Sequence, residues 1–227
     1  MGLRNIITID GPAGAGKSTL ARDLARRLAW NFLDTGAIYR AVAVAASEAG
    51  IPISSPGRMG EFVRALEVRV ELESDMSRIF VDGRELTGLI RGEKISTLTS
   101  FISSFPEVRG ALEGVQHRLG ANGRLVSEGR DQGTKIFPLA GLKFFLTAAV
   151  GERARRRFLE LALKDPSVRY EDVLAKMTER DGFDENRAET PLRAADDALL
   201  VDSTDKSKEE VLNFMEYKAR EVFSDLF

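Results

Sequence analysis

The stretch GPAGAGKST, residues 11–19, constrains this 227-residue chain more than any other. Gly11, Gly16, Lys17 and Ser18 satisfy the pattern G-x-x-x-x-G-K-[ST]. The glycines let the backbone curl until successive N–H groups converge on a phosphate. Lys17 adds a positive charge toward the outer phosphates of a triphosphate, and the Ser18 hydroxyl suits Mg²⁺. The pattern is meaningful only between a strand and a helix. Before it, residues 5–10 form a short apolar run rich in Ile and Thr. After it, Leu20, Leu24 and Leu28 recur every four residues along one helix face. The expectation is an α/β fold in which Gly11, Pro12, Ala13, Gly14, Ala15, Gly16, Lys17, Ser18 and Thr19 hold a nucleoside triphosphate.

The rest of the chain extends that pattern. Phe32 and Leu33 read as a second strand ending at Asp34, and the alanine-rich run 37–48 reads as a helix stopped by Gly50 and Pro52. Then the period changes. Leu66, Val68, Val70 and Leu72 alternate with Glu67, Arg69, Glu71 and Glu73, the mark of a one-sided antiparallel strand. Asp82-Gly83 supplies a hairpin turn. Pro106 opens a helix carrying Val108, Leu112, Val115 and Leu119, with Gly120 as its stop. Strands are expected at 125–127, 142–146 and 199–202. Ser207 and Glu210 make a capping box before a last helix carrying Val211, Phe214 and Val222. Strands alternating with helices imply a parallel sheet covered on both faces. The expected organisation is one domain over 1–227. It has a core at 1–59 and 93–227, an antiparallel insert at 60–92, and a helical segment at about 151–188.

Composition removes several classes. With 33 basic and 35 acidic side chains the formal charge is −2, which leaves no overall basic surplus for non-specific nucleic-acid binding. There is no cysteine, so neither disulfides nor thiolate metal sites exist. No apolar run is long enough to span a bilayer. The first ten residues lack a signal-peptide core, and Ile6 occupies the position where myristoylation wants Ser or Thr. A cytoplasmic protein is expected. No guanine-reading Asn-Lys-x-Asp is present, which argues against a GTP switch.

A kinase for a small anionic acceptor must hold that acceptor in line with the γ-phosphate and neutralise the crowded charge. Arginines stand where they could do so: Arg40 after DTGAIY, Arg109 just inside the helix opened by Pro106, Arg130 in SEGRDQGT, and Arg180 and Arg187 around DGFDEN. Strand C-termini are the ligand-binding edge of such sheets.

In chain order, ITIDGPAGAGKST, LDTGAIYRAVA, SSFPEVRGALEGVQ, EGRDQGT, ERARRRF and RDGFDENRAETPL together resemble the bacterial cytidylate kinase family. VDGRELTGLIR resembles its insert and VDSTDKSKEEV its closing strand and helix, so the likeness runs almost end to end. The resemblance implies a five-stranded parallel core of the P-loop NTPase type, a small antiparallel insert on the CMP side and a mobile lid. It also implies transfer of the γ-phosphate of ATP to CMP or dCMP with Mg²⁺, by a monomer. By the same resemblance Ser100 and Asp131 read the cytosine edge with Arg109 beside the base. Arg40, Arg130 and Arg187 hold the acceptor phosphate, and Arg180 and Asp184 approach the sugar. Ser18 meets the metal, with Asp34 behind it. The lid donates arginines to the transferring group, with Arg153 and Arg157, four apart, as the choice. Gln132 departs from the family, which commonly has Ile, Met or another apolar residue there.

Three readings stand at this point. One is an ATP:CMP phosphotransferase. Another keeps the chemistry with a different acceptor, UMP being the nearest. The third is a nucleotide-binding regulator without turnover.

Overall fold

The computed structural model describes residues 4–90, 92–187 and 189–227. Residues 91 and 188, which fall in the expected insert and lid segments, lie outside that set. Five strands form one fully parallel sheet: β1 (Ile6–Asp10), β2 (Asn31–Asp34), β6 (Leu125–Gly129), β7 (Leu142–Thr147) and β8 (Leu199–Asp202). Their order is β2-β6-β1-β7-β8, so β1 is central and the phosphate loop leaves the middle of the sheet.

All five residues of β1 are buried, because helices cover both faces. Strand alternation divides them. Ile6 joins a core under α2 (Thr35–Glu48), α4 (Glu93–Ile102) and α5 (Pro106–Gly120). Ile7 and Ile9 join a second core under α1 (Lys17–Leu28) and α8 (Lys208–Val222). Leu20, Leu24 and Leu28 all face that second core. Trp30 lies there too, its ring 5.0 Å from that of Phe223.

The antiparallel insert is present but shorter than expected. β3 (Val68–Leu72), β4 (Ser77–Val81) and β5 (Arg84–Glu85) pair antiparallel, whereas 60–65 belong to a helix, α3 (Pro56–Ala65). Asp82 and Gly83 both take left-handed backbone angles, φ 50° and 78°, as a tight hairpin turn requires. The insert shares the first core through Ile79, Val81 and Leu86. Its sheet is fastened to the edge of β2: Phe32 N donates to the Glu73 carbonyl at 2.8 Å, and the buried Ser77 hydroxyl donates to the Phe32 carbonyl at 2.7 Å.

One local expectation changes. On α8 the buried face is Val211, Leu212, Met215 and Ala219, whereas Phe214 and Val222 are exposed. Helix α4 forms from a Thr/Ser-rich, partly β-branched run because Leu98 and Ile102 bury against the first core, and its hydroxyls are satisfied by bonds back along the helix. Thr99 donates to the Ile95 carbonyl at 2.7 Å and Ser100 to the Ser96 carbonyl at 3.1 Å.

Candidate active site

The phosphate loop follows β1 and opens into α1. Gly11 has φ 147°, and a Cβ there would lie 1.9 Å from the Leu146 carbonyl oxygen, so only glycine fits. Gly16 caps α1 in a left-handed conformation with no side-chain cap, which leaves the first-turn N–H groups to an anion. Lys17 Nζ donates to the Pro12 carbonyl at 2.8 Å, across the loop. Ser18 Oγ donates to Glu128 Oε1 at 2.7 Å, from the last turn of the neighbouring strand.

The acceptor-side arginines surround one carboxylate. Asp184, fully buried on α7 (Tyr170–Glu185), accepts Arg130 Nε at 2.9 Å and pairs with Arg187. Burial alone would push its pKa up, but Arg130 and Arg187 more than offset this and hold it below the usual carboxylate range. One carboxylate does not balance the cluster. Burial, and then the neighbouring Arg130, Arg187 and Arg40, push the Arg180 guanidinium down to about 10. The buried Nε groups of Arg180 and Arg187 have no hydrogen-bond partner among the described residues. A concentrated positive field with unfilled donors is a site built for a polyanion.

Arg40 is held by Asp34 at 2.7 Å. Asp34 also caps α2, accepting Ala37 N at 2.9 Å, so the turn-forming and arginine-positioning roles coexist in one side chain. Beside the cage, Arg109 is ion-paired with Asp131 and donates to the Ser103 carbonyl at 3.1 Å. Ser100 sits on α4, three residues before Ser103, whose hydroxyl takes a 3.3 Å bond from Arg187. Gln132 is wholly buried and satisfied: its Oε1 accepts Ser127 Oγ at 2.8 Å and its Nε2 donates to Gln116 Oε1 at 3.2 Å.

Arg153 and Arg157 part company. Arg153, on α6 (Val150–Ala162), is buried and donates to the Ala13 carbonyl of the phosphate loop at 3.0 Å while pairing with Asp181 of α7 at 2.6 Å. Arg157 is half exposed and pairs with Glu160 at 2.9 Å. A Cβ on Gly14 would meet Met177 Cε at 2.9 Å and Arg153 Cβ at 3.2 Å, so α6 and α7 both lie on the loop tip. His117 is on the far side of the chemistry, its ring nitrogen 2.9 Å from the Ile136 carbonyl oxygen.

The family model for cytidylate kinase matches residues 7–221. The chain is similar to proteins named cytidylate kinase: from Geobacter sp. (strain M21) at 44% identity, covering 95% of this chain and 93% of that one, from Aeromonas salmonicida at 42%, covering 91% and 90%, and from Vibrio cholerae at 40%, covering 94% and 96%. The chain belongs to the cytidylate kinase family. Within that family's frame, Glu128 is the residue that sequence reading passed over, although it stands inside the quoted EGRDQGT. Its signal was position: a carboxylate one residue before the end of a central parallel strand. Burial and then nearby Asp34 push its pKa up to about 7, against the pull of Lys17 and Ser18.

The residues here fit a Mg²⁺ ion. Ser18 and Glu128 supply hard oxygen donors with Asp34 close by, and among the described residues no three-carboxylate or histidine cage competes with them. Few protein ligands, with phosphate oxygens and waters completing the shell, is the usual arrangement for Mg²⁺.

Glu128→Gln is expected to stabilise the ligand-free protein at pH 8. An acid whose folded pKa lies above its unfolded value destabilises the fold once ionised. The penalty is absent below about 4.5, grows with pH, and is complete above about 7. Calorimetry at pH 8 should show a Tm several degrees above the parent, about 1–3 kcal/mol, with the difference shrinking at pH 5. A variant no more stable at pH 8 would mean that the carboxylate is not under strain.

Proposed function

We propose that this chain transfers the γ-phosphate of ATP to CMP or dCMP, giving ADP and CDP or dCDP. The observation that carries the reading is the cage of Arg130, Arg180 and Arg187 around buried Asp184, with Arg40 near Arg180, set beside the phosphate loop and holding unfilled guanidinium donors. One polyanion site belongs to the triphosphate; a second, next to it, calls for an acceptor that carries its own phosphate.

In this reading the loop amides and Lys17 hold the β- and γ-phosphates, while Arg40, Arg130 and Arg187 hold the acceptor phosphate. The acceptor oxygen is already anionic, so no side chain need remove a proton; catalysis is alignment and neutralisation of charge. Ser18 and Glu128, with Asp34 behind them, would hold Mg²⁺, which when bound neutralises the charge between the phosphates. Asp131 accepts from the cytosine amino group, with Ser100 and Arg109 flanking the base, and Arg180 and Asp184 sit by the ribose. Arg153 reaches the loop backbone and so is the stronger of the two lid candidates, while Arg157 would have to swing inward from Glu160. The pair α6–α7 acts as the lid that excludes water. The same reading has the chain working as a monomer in the cytoplasm.

The test is nucleoside diphosphate formation from ATP and Mg²⁺ with CMP, dCMP, UMP, AMP, GMP and shikimate. Fast turnover of CMP and dCMP with UMP far behind is expected. Equal rates across the panel would remove the base-reading role, and absence of any turnover would favour a nucleotide-binding regulator.

A further inference from the structure

Asp10 ends β1 directly before the phosphate loop, yet among the described residues its carboxylate makes no hydrogen bond to that loop. It is 4% exposed, and both its oxygens reach across to the adjacent strand's exit. Oδ1 accepts Gln132 N at 2.8 Å and Oδ2 accepts Gly133 N at 2.7 Å. β1 and β6 are paired in register, Asp10 opposite Gly129, so the grip lands three and four residues beyond the strand end. Between Gly129 and the grip lie only Arg130 and Asp131. The gripped residues open a wide π-type turn over Gln132–Ile136, with Ile136 N donating to the Asp131 carbonyl at 3.1 Å and Phe137 N to the Gln132 carbonyl at 2.6 Å. π-type turns are rare and frequently mark functional sites.

We infer that Asp10 is a positioning residue for the acceptor: its carboxylate fixes the main chain that presents Arg130 to the acceptor phosphate and Asp131 to the base. The inference rests on the acceptor reading of those two residues. A carboxylate suits the task because it offers two charged acceptors to two amides at once. An asparagine offers one acceptor, and its NH₂ group opposes the second N–H. Strand alternation also places Thr8 on this face, and a Cβ on Gly133 would meet Thr8 Oγ1 at 2.8 Å and Lys143 Cδ at 3.1 Å, so the turn is seated closely on β1. The same strand therefore sets the donor loop through its chain direction and the acceptor turn through its last side chain.

Two variants disturb the grip from opposite sides. Asp10→Asn weakens it directly, and Gly133→Ala lifts the turn off β1 while leaving Asp10 in place. Both are expected to raise KM for CMP by about tenfold or more and to lower the CMP:UMP ratio of kcat/KM by a similar factor. The ATP dissociation constant, titrated without acceptor, should stay within about twofold, since small misplacements of a positioning group cost rate steeply while Lys17 keeps its own bond to the Pro12 carbonyl. If the parent enzyme discriminates CMP from UMP but both variants keep that ratio and the parent KM, Asp10 does not position the acceptor. If CMP and ATP weaken equally, Asp10 serves the sheet as a whole and the inference is overturned. If the parent enzyme itself fails to discriminate, the acceptor reading beneath the inference is what has failed.

Discussion

Lys17→Ala is expected to lower kcat about a thousandfold, equivalent to about 4 kcal/mol of transition-state stabilisation. The ammonium stands over the phosphate loop, bonded to the Pro12 carbonyl at 2.8 Å and shielded from water. Burial first, and then the neighbouring Arg130, push its pKa down to about 7. A group so deprived of solvent interacts strongly with charge that appears beside it, and the transferring phosphoryl is that charge. Loss of the side chain should not unfold the protein, because the deleted charge was itself costly to bury. The predicted signature is therefore a Tm within a few degrees of the parent and turnover near background. Single-turnover kinetics with saturating ATP and CMP would check it, and near-full turnover would remove Lys17 from the chemistry. The depressed pKa adds a second readout. Above pH 7 the ligand-free amine is largely neutral, and phosphate binding restores its charge. ATP binding at pH 8 should thus take up a proton in the parent that the variant does not take up, visible in calorimetry across buffers of different ionisation enthalpy.

Asp131→Ala is expected to cut the CMP:UMP ratio of kcat/KM by about 10–100-fold while leaving ATP binding nearly unchanged. Cytosine offers an amino group at the position where uracil offers a carbonyl oxygen. A carboxylate accepts from the first and repels the second. Asp131 is buried, and Arg109 holds one of its oxygens in place, so it meets the base with little freedom to adapt. Removing it leaves Arg109 unpaired, a donor that suits the uracil oxygen better than the cytosine amine. Discrimination should therefore fall from both sides, through slower CMP and faster UMP. Paired kinetics on the two acceptors decide the matter; an unchanged ratio would reassign base reading to other residues.

The elements around the phosphate loop could be read in the chain because their signals are local. A strand, a glycine turn and a four-residue leucine period follow one another within residues 6–28, and the capping box of Ser207 and Glu210 forms as its residues suggest. Helices α3 and α4 could not be read that way. Gly57 and Gly60 dilute the first, and β-branched residues disguise the second, whose helix is supported by tertiary burial of Leu98 and Ile102. The arginines were visible as residue types in suggestive places, but their convergence is a matter of topology. Residues 40, 130, 180 and 187 meet only after the chain has crossed the sheet several times. Glu128, Asp10 and Ser103 escaped notice for a related reason. Each meets a group far away in sequence, a hydroxyl, a main-chain amide and a guanidinium in turn, and no motif carries the mark of such a partner.

Helices α6 and α7 enclose an apolar cluster of their own, Ala154, Val173 and Met177 with Phe158, Leu161 and Leu174 around them, separate from the two cores that flank the sheet. Two sets of bonds then govern this pair. Its internal packing and the Arg153–Asp181 pair keep it folded, while the bond from Arg153 to the Ala13 carbonyl, the Arg130–Asp184 pair and the bond from Arg156 to the Ser203 carbonyl fasten it to the rest of the molecule. The two can yield independently. In native-state amide exchange, backbone protons of α6 and α7 should therefore report a sub-global opening of their own, released well before the sheet lets go, and slowed when nucleotide occupies the loop beneath. The helical pair is in effect a second, smaller cooperative unit, with its own melting free energy and its own tolerance for mutation.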